Sequence, residues 1–236
     1  MLNDLKIDNV LFIDIETVPA VAEFSQLEPK FKALWEKKAE QLSRHNPDIT
    51  ADQIYERAGI YAEFGKIVCI SSGFHSGSTL RVKSFYGDDE TILLKEFAGL
   101  LNSHFDTAYH LLCAHNGKEF DFPYIARRML ICGVELPEFL NLAGKKPWEV
   151  KHLDTMELWK FGDFKHYTSL GLLTAIFNIP TPKDDIDGSM VGHTYWVEKD
   201  LDRIVNYCQK DVVALTQLLR RYKGMPLIKD TDIVIV

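Results

Sequence analysis

The chain has 236 residues, 46% of them hydrophobic and 26% charged, and a formal net charge of −7 at pH 7. That size and balance suit a single globular domain over residues 1–236 that buries one substantial core. No apolar run approaches the roughly 20 residues that cross a bilayer, and Met1-Leu2-Asn3-Asp4 lacks a basic region followed by an apolar one, so a cytoplasmic location without a membrane partner is expected. The acidic balance argues against broad electrostatic binding of nucleic acid but leaves room for an enzyme whose local basic groups guide a phosphate backbone.

Val10-Leu11-Phe12-Ile13 reads as a buried strand within residues 8 to 16. A helical insertion follows over residues 20–63: Phe24, Leu27, Phe31, Leu34 and Trp35 have helical spacing, and Ile54, Ala58 and Tyr61 suggest a second helix. Ile67 to Ser72 and the alternating Thr79 to Phe85 predict two strands joined by a turn at His75-Ser76-Gly77-Ser78. The run Ile92, Leu93, Phe97, Leu100, Leu101 predicts a helix, and His110 to Ala114 a short buried strand. Then come a helix from about Phe122 to Cys132, a loop from Leu136 to Trp148, and a last strand from Val150 to Leu153. Helices are predicted over Thr168 to Phe177 and Leu201 to Tyr222, the latter with Ile204, Val205, Cys208, Val212, Leu215 and Leu219 as its apolar stripe. The order predicts an α/β fold: a mixed five-stranded sheet, three antiparallel strands followed by parallel ones, flanked by helices and carrying the insertion between its first two strands. Ile233-Val234-Ile235-Val236 resembles a further strand whose partner lies within the chain or in a second copy.

Cys69, Cys113, Cys132 and Cys208 are scattered and read as reduced core thiols, and the eight histidines form no i, i+4 pair. Any metal is therefore expected on oxygen. Asp14 and Glu16 end the first strand on one of its faces, an arrangement that asks for a compensating cation. In a chain with 34 acidic residues Asp-x-Glu is expected about once by composition, so the pair needs corroboration. Asn116-Gly117-Lys118-Glu119-Phe120-Asp121 supplies one partner, placing Asp121 at a helix start, where simple capping is the competing explanation. Tyr207 and Asp211, four apart on the C-terminal helix, share a face beside its apolar stripe. Asp154 ends the last predicted strand and reads first as a helix cap. Lys118, Arg127, Arg128, Lys145, Lys146 and Lys165 are candidate backbone contacts, and Phe164, Tyr167, Tyr195 and Trp196 candidate stacking residues, with solvation and core packing as the ordinary alternatives.

On Asp14-x-Glu16, Asn116-x-x-x-Phe120-Asp121 and Tyr207-x-x-x-Asp211 together, the chain resembles the DEDD superfamily of 3′-5′ exonucleases. Within it, the chain looks like the tyrosine branch and bacterial proteins akin to the proofreading domain of family B DNA polymerases. The other branch places His five residues before the last Asp; here that position is Asn206. The likeness covers residues 8–18 and about 65–222, leaving out the insertion and the tail. It implies an RNase H-like fold and two divalent cations, Mg²⁺ or Mn²⁺. By it, Asp14 bridges both ions, Glu16 and Asp211 complete one, Asp121 holds the other, and Tyr207 orients the attacking water. Thr17 and Asn116 match substrate-binding positions against the terminal nucleotide. The implied partner is nucleic acid with a free 3′ end, DNA or RNA, single-stranded DNA being favoured, with release of nucleoside 5′-monophosphates. The alternative is a catalytically inactive nucleic-acid-binding module of the same fold, whose expected signature is a broken carboxylate set. With no polymerase region recognisable, such chemistry would act in a freestanding chain, in a homodimer, or beside a polymerase or repair partner.

Overall fold

Along β1 (Val10–Pro19) alternate side chains enter two different apolar layers. The computed structural model describes residues 2, 4–46, 48–105, 107–163, 165–180 and 185–236; in it Leu11, Ile13 and Ile15 join one core, and Val10 and Phe12 join the core on the opposite face.

The insertion after β1 consists of a turn at Phe24–Gln26, α1 (Pro29–Leu42) and a turn at Tyr55–Ile60. Pro29 opens α1 in the first turn, where its missing N–H satisfies nothing anyway. The segment carries a small aromatic core of its own. Trp35 is fully buried, edge-on to Tyr55 and Phe64 with ring centroids 5.6 and 5.2 Å away, and its indole N–H donates to the Ala51 carbonyl at 2.8 Å. Two glycines seat it on the main body. A Cβ at Gly59 would lie 3.0 Å from the Val18 carbonyl carbon, and one at Gly65 would lie 2.3 Å from the Tyr124 hydroxyl, which donates to the Gly59 carbonyl at 2.7 Å.

β2 (Gly65–Ser76) and β3 (Thr79–Tyr86) form a hairpin, with Gly77 at φ 64° supplying the left-handed turn residue. α2 (Glu90–His104) starts on an Asp89 cap that accepts from the Thr91 and Ile92 N–H groups at 2.9 and 3.1 Å. β4 (Leu111–Ala114), α3 (Asp121–Ile131), β5 (Leu153–Asp154), α4 (Thr155–Lys160) and α5 (Leu170–Ile176) follow. α6 (Val191–His193) runs into a π-helical turn at Thr194–Glu198, and α7 (Leu201–Tyr222) and β6 (Ile233–Ile235) close the order.

The sheet order is β5-β4-β1-β2-β3-β6. β1, β2 and β3 are antiparallel neighbours, while β4 joins β1 and β5 joins β4 in parallel, as expected for the mixed sheet. The described chain has six strands instead of the expected five, because the apolar tail finds its partner inside the chain: β6 lies parallel to β3, with Ile233 opposite Leu80. β5 is shorter than Val150 to Leu153 suggests, pairing only Leu153 with Cys113 and Asp154 with Ala114, because the turn at Pro147–Glu149 keeps Val150 out of the ladder.

α2 and α3 pack on the face of Ile13 and Ile15, and α7 on the other. α7 can come close because β2 offers no side chain at Gly73, where a Cβ would meet Val212 Cγ1 at 2.7 Å. On the opposite face a buried ion pair ties the layers together. The Arg128 guanidinium donates to both Glu90 oxygens at 2.9 and 2.5 Å and to the Ala62 carbonyl at 2.7 Å, while Glu90 also accepts the Ile67 N–H at 2.7 Å. Arg128 is thereby committed to the core and is no backbone contact for a nucleic acid, correcting the expectation for that residue.

Candidate active site

The face of β1 beneath α7 reads Val10, Phe12, Asp14, Glu16, Val18. Val10 and Phe12 pack with Val212, Leu215 and Leu219, and Val18 packs with Ile204, Val205 and Cys208. Between those two apolar patches the layer is interrupted by acids. Asp14 and Glu16 come from the strand, and Tyr207 and Asp211 from the helix above it, beside the stripe that continues through Cys208 and Val212. Ligating atoms of Asp14, Glu16 and Cys208 all lie within 4.8 Å of one another. The Cys208 thiol donates to the Asp14 carbonyl and carboxylate, both at 3.4 Å, so a residue expected to be plain core packing also holds Asp14 in place.

Electrostatics confirm the crowding. Burial first, then the charges of Asp211 and Asp121, push the Asp14 carboxyl well above the usual range, against the lowering effect of the Cys208 hydrogen bond. Glu16 is raised by burial and then by Asp14 and Asp211. Among the described residues no Lys or Arg forms a salt bridge with Asp14, Glu16 or Asp121. Tyr207 donates to Asp211, and burial, Asp211, Glu16 and Asp14 all drive its phenol upward, so it stays protonated.

Asp121 enters from a third direction. β4 pairs with β1 only as far as Phe12, so the N–H of Ile15 is left beyond the ladder and is accepted by the Asp121 carboxylate. Burial raises Asp121 to about 7, opposed by its own backbone N–H and that of Ile15, with Asp154 adding to the rise. The preceding loop is built for a tight reversal. Asn116 sits at φ 63°, a region Asn tolerates better than most residues, and a Cβ on Gly117 would collide with Ala114 Cβ at 2.3 Å.

Asp154, weighed from the sequence as a helix cap, is that and more. Its oxygens accept the Met156 and Glu157 N–H groups of α4 at 2.9 and 3.3 Å, and the Asn116 and Lys118 N–H groups of the Asp121 loop at 3.0 and 3.1 Å. The cap was readable from Asp154-Thr155; the bonds to the loop arise only once β5 lies beside β4.

Of the two candidate substrate contacts, Thr17 follows a bulge after Glu16 and donates to the Tyr124 hydroxyl while also lining a cleft of about 870 Å³. Asn116 shapes its turn, its carbonyl accepting from Glu119 and Phe120 at 3.2 and 3.0 Å. The cleft runs from Glu16 and Phe120 between the insertion and the turn around His193 and Trp196. Trp196 is fixed there by donating to the Pro19 carbonyl at 3.1 Å. Tyr195 is buried and bonded to Asp88 at 2.6 Å and Lys66 at 2.8 Å, so it offers no stacking face. Tyr167 is exposed, Lys118 pairs with Glu157 at 2.7 Å, and Phe164 lies outside the described residues.

Comparison with known proteins bears on the family and the fold. The family described as a predicted 3′-5′ exonuclease related to the exonuclease domain of PolB matches residues 60–226, which include Asp121, Tyr207 and Asp211 and exclude β1. Among solved structures, the family B DNA polymerase from the hyperthermophilic archaeon Pyrobaculum calidifontis has a similar fold, with a TM-score of 0.56 at 14% identity over 90% of this chain. This chain spans only 24% of that polymerase. Since the family match covers more than two thirds of the sequence, the chain belongs to the family of predicted 3′-5′ exonucleases related to the exonuclease domain of PolB.

Proposed function

We propose that the protein is a divalent-metal-dependent 3′-5′ exonuclease of the tyrosine-bearing DEDD branch, formed as one domain, that hydrolyses the terminal phosphodiester of a nucleic acid and releases nucleoside 5′-monophosphates. The observation that carries this reading is the acidic break in an otherwise apolar interface. Packing hydrocarbon there would be the simpler solution for stability, yet three elements bring carboxylates to it.

The residues fit divalent ions. Asp14, Glu16, Asp121 and Asp211 offer hard oxygen donors suited to Mg²⁺ or Mn²⁺, and their mutual repulsion is what bound cations relieve. When bound, a pair of ions supplies Lewis acidity and lowers the pKa of water at neutral pH. The chain's own part is placement: Cys208 holds Asp14, the Ile15 N–H and the helix start hold Asp121, and Asp154 holds the loop before it. Tyr207 is a phenol too basic to lose its proton at neutral pH, which suits it to orient an attacking water by hydrogen bonding. Thr17 and Asn116 flank the carboxylates and serve as contacts to the terminal nucleotide. The bond broken is that between phosphorus and O3′ of the penultimate residue. A binding module without turnover is disfavoured because all four carboxylates and the tyrosine are kept.

The test is release of nucleotide from 3′-labelled single-stranded DNA and RNA in Mg²⁺, Mn²⁺ or EDTA. EDTA-sensitive release from the 3′ end that Asp14→Ala abolishes is expected. Undiminished release by Asp14→Ala would reject the reading.

A further inference from the structure

Sulfur stands among the carboxylates. The Cys208 sulfur lies 3.4 Å from Asp14 Oδ2, and one donor atom each of Asp14, Glu16 and Cys208 fall within 4.8 Å of one another. Around a tetrahedral zinc, with bonds of about 2.3 Å to sulfur and about 2.1 Å to oxygen, neighbouring sulfur and oxygen ligands are about 3.6 Å apart. Cys208 and Asp14 are thus at ligand spacing before any ion arrives. Cys69 adds a fourth donor. It lies opposite Glu16 in the β1–β2 ladder, packs in the apolar patch of Ile204 and Val205, and its thiol is in hydrogen-bond contact with that of Cys208. No spacing along the chain announces this set, because β1, β2 and α7 each supply part of it.

Two thiols and two carboxylates select differently from oxygen alone. Asp14, Glu16, Asp121 and Asp211 suit Mg²⁺ or Mn²⁺, whereas sulfur favours Zn²⁺ and its heavier homologue Cd²⁺. Cys69 and Cys208 are both fully buried, but Glu16 also lines the open cleft, which gives an ion its way in. Burial first, then Cys69, Asp14 and Glu16, keep the Cys208 thiol protonated in the empty site. A thiophilic ion replaces that proton and the one on Cys69, and both pass to water.

We infer that the carboxylate site has a second way of being loaded: a thiophilic divalent ion, Zn²⁺ or Cd²⁺, is held by Asp14, Glu16, Cys208 and Cys69, and shuts the site down. Because Asp14 and Glu16 serve both kinds of ion, one load excludes the other. Because four protein donors close a tetrahedral ion, no position on it is left for an attacking water or a phosphate. The binding stands on the donor geometry alone; the loss of turnover rests on the exonuclease reading.

The experiment titrates the full chain, stripped with EDTA and desalted, with Cd²⁺ and follows the ultraviolet charge-transfer band of cadmium–thiolate bonds. The wild type should develop the band and saturate at about one ion per chain. Once loaded with Cd²⁺, it should take up Mn²⁺ at least about tenfold more weakly in calorimetry than the stripped chain does. A wild type without the band, or a Cd²⁺-loaded chain that binds Mn²⁺ as the stripped one does, overturns the inference, and neither measurement needs a variant. Cys208→Ser keeps a hydroxyl able to donate to Asp14. It and Cys69→Ser should each weaken Cd²⁺ binding relative to Mn²⁺ binding by at least about tenfold. Cys132→Ser, which removes a thiol that donates to Glu90, should leave that ratio where it was. A ratio that Cys208→Ser does not move places the ion elsewhere and overturns the inference too. In turnover, Zn²⁺ at one ion per chain should stop the nucleotide release that Mg²⁺ supports, and release that continues from the Zn²⁺-loaded protein overturns the shutdown. If no nucleotide is released in Mg²⁺ or Mn²⁺, the exonuclease reading fails, while the Cd²⁺ band and its exclusion of Mn²⁺ still decide whether the second load exists.

Discussion

Asp154 accepts four backbone N–H groups while 2% exposed, so its removal strands donors in two segments at once. Asp154→Ala is expected to cost roughly 2–4 kcal/mol in urea unfolding, and to weaken Mn²⁺ binding measured calorimetrically, because the Asn116–Lys118 loop that leads into Asp121 loses its anchor. A variant that loses stability but binds Mn²⁺ as the wild type does would reduce Asp154 to a helix cap. Tyr207→Phe deletes only a hydroxyl that points to Asp211, and should lower kcat by roughly 10²-fold with little change in KM or in melting temperature. At this scale the carboxylates and the tyrosine could be named from residue type and spacing. The added duties of Cys208 and Asp154 could not, since each depends on a partner more than 30 residues away in sequence.

The elements differ in how plainly they were written. α7 is legible to the residue because its apolar stripe is long and unbroken, whereas α4 and the turn Val191–Glu198 are too short to establish a period. β6 was visible as a strand without a visible partner, since parallel pairing to β3 is set by tertiary packing and leaves no local signature. The approach of α7 to the sheet is likewise set by an absence, the missing side chain of Gly73. Gly73→Val forces a Cβ into Val212 from a position without slack, and is expected to cost about 1–3 kcal/mol by overpacking. Since α7 carries Tyr207 and Asp211, the same variant should lose activity beyond what its fraction folded explains. Thermal unfolding and turnover measured on one preparation would separate the two effects.

For the molecule as a whole, the metal-free site sets a pH dependence of stability whose sign can be worked out. Asp14 and Glu16 are raised well above the usual carboxylate range and Asp121 to about 7, while in the unfolded chain all three titrate near 4. Between those values the folded protein holds protons the unfolded chain has released, so stability falls as pH rises through the folded-state pKa values. His75, His115 and His152 work the other way. Burial lowers all three from 6.5, so their stabilising contribution is present above that pH and is lost as pH falls through their folded-state values. The two effects oppose each other in acid, but from about pH 6.5 upward the carboxylates act alone among these groups. In EDTA the melting temperature should therefore fall by a few °C (on the order of 2–5 °C) as pH rises from about 6.5 through the folded-state value of Asp121, about 7. Mn²⁺ or Mg²⁺ should reverse the fall, because a cation binds the ionised carboxylates that only the folded chain assembles. Asp14→Asn should flatten the slope in EDTA and remove most of the metal response. A melting temperature that stays level in EDTA and ignores added metal would mean that the acidic break between strand and helix is tolerated without a cation, and the metal reading of the site would fall with it.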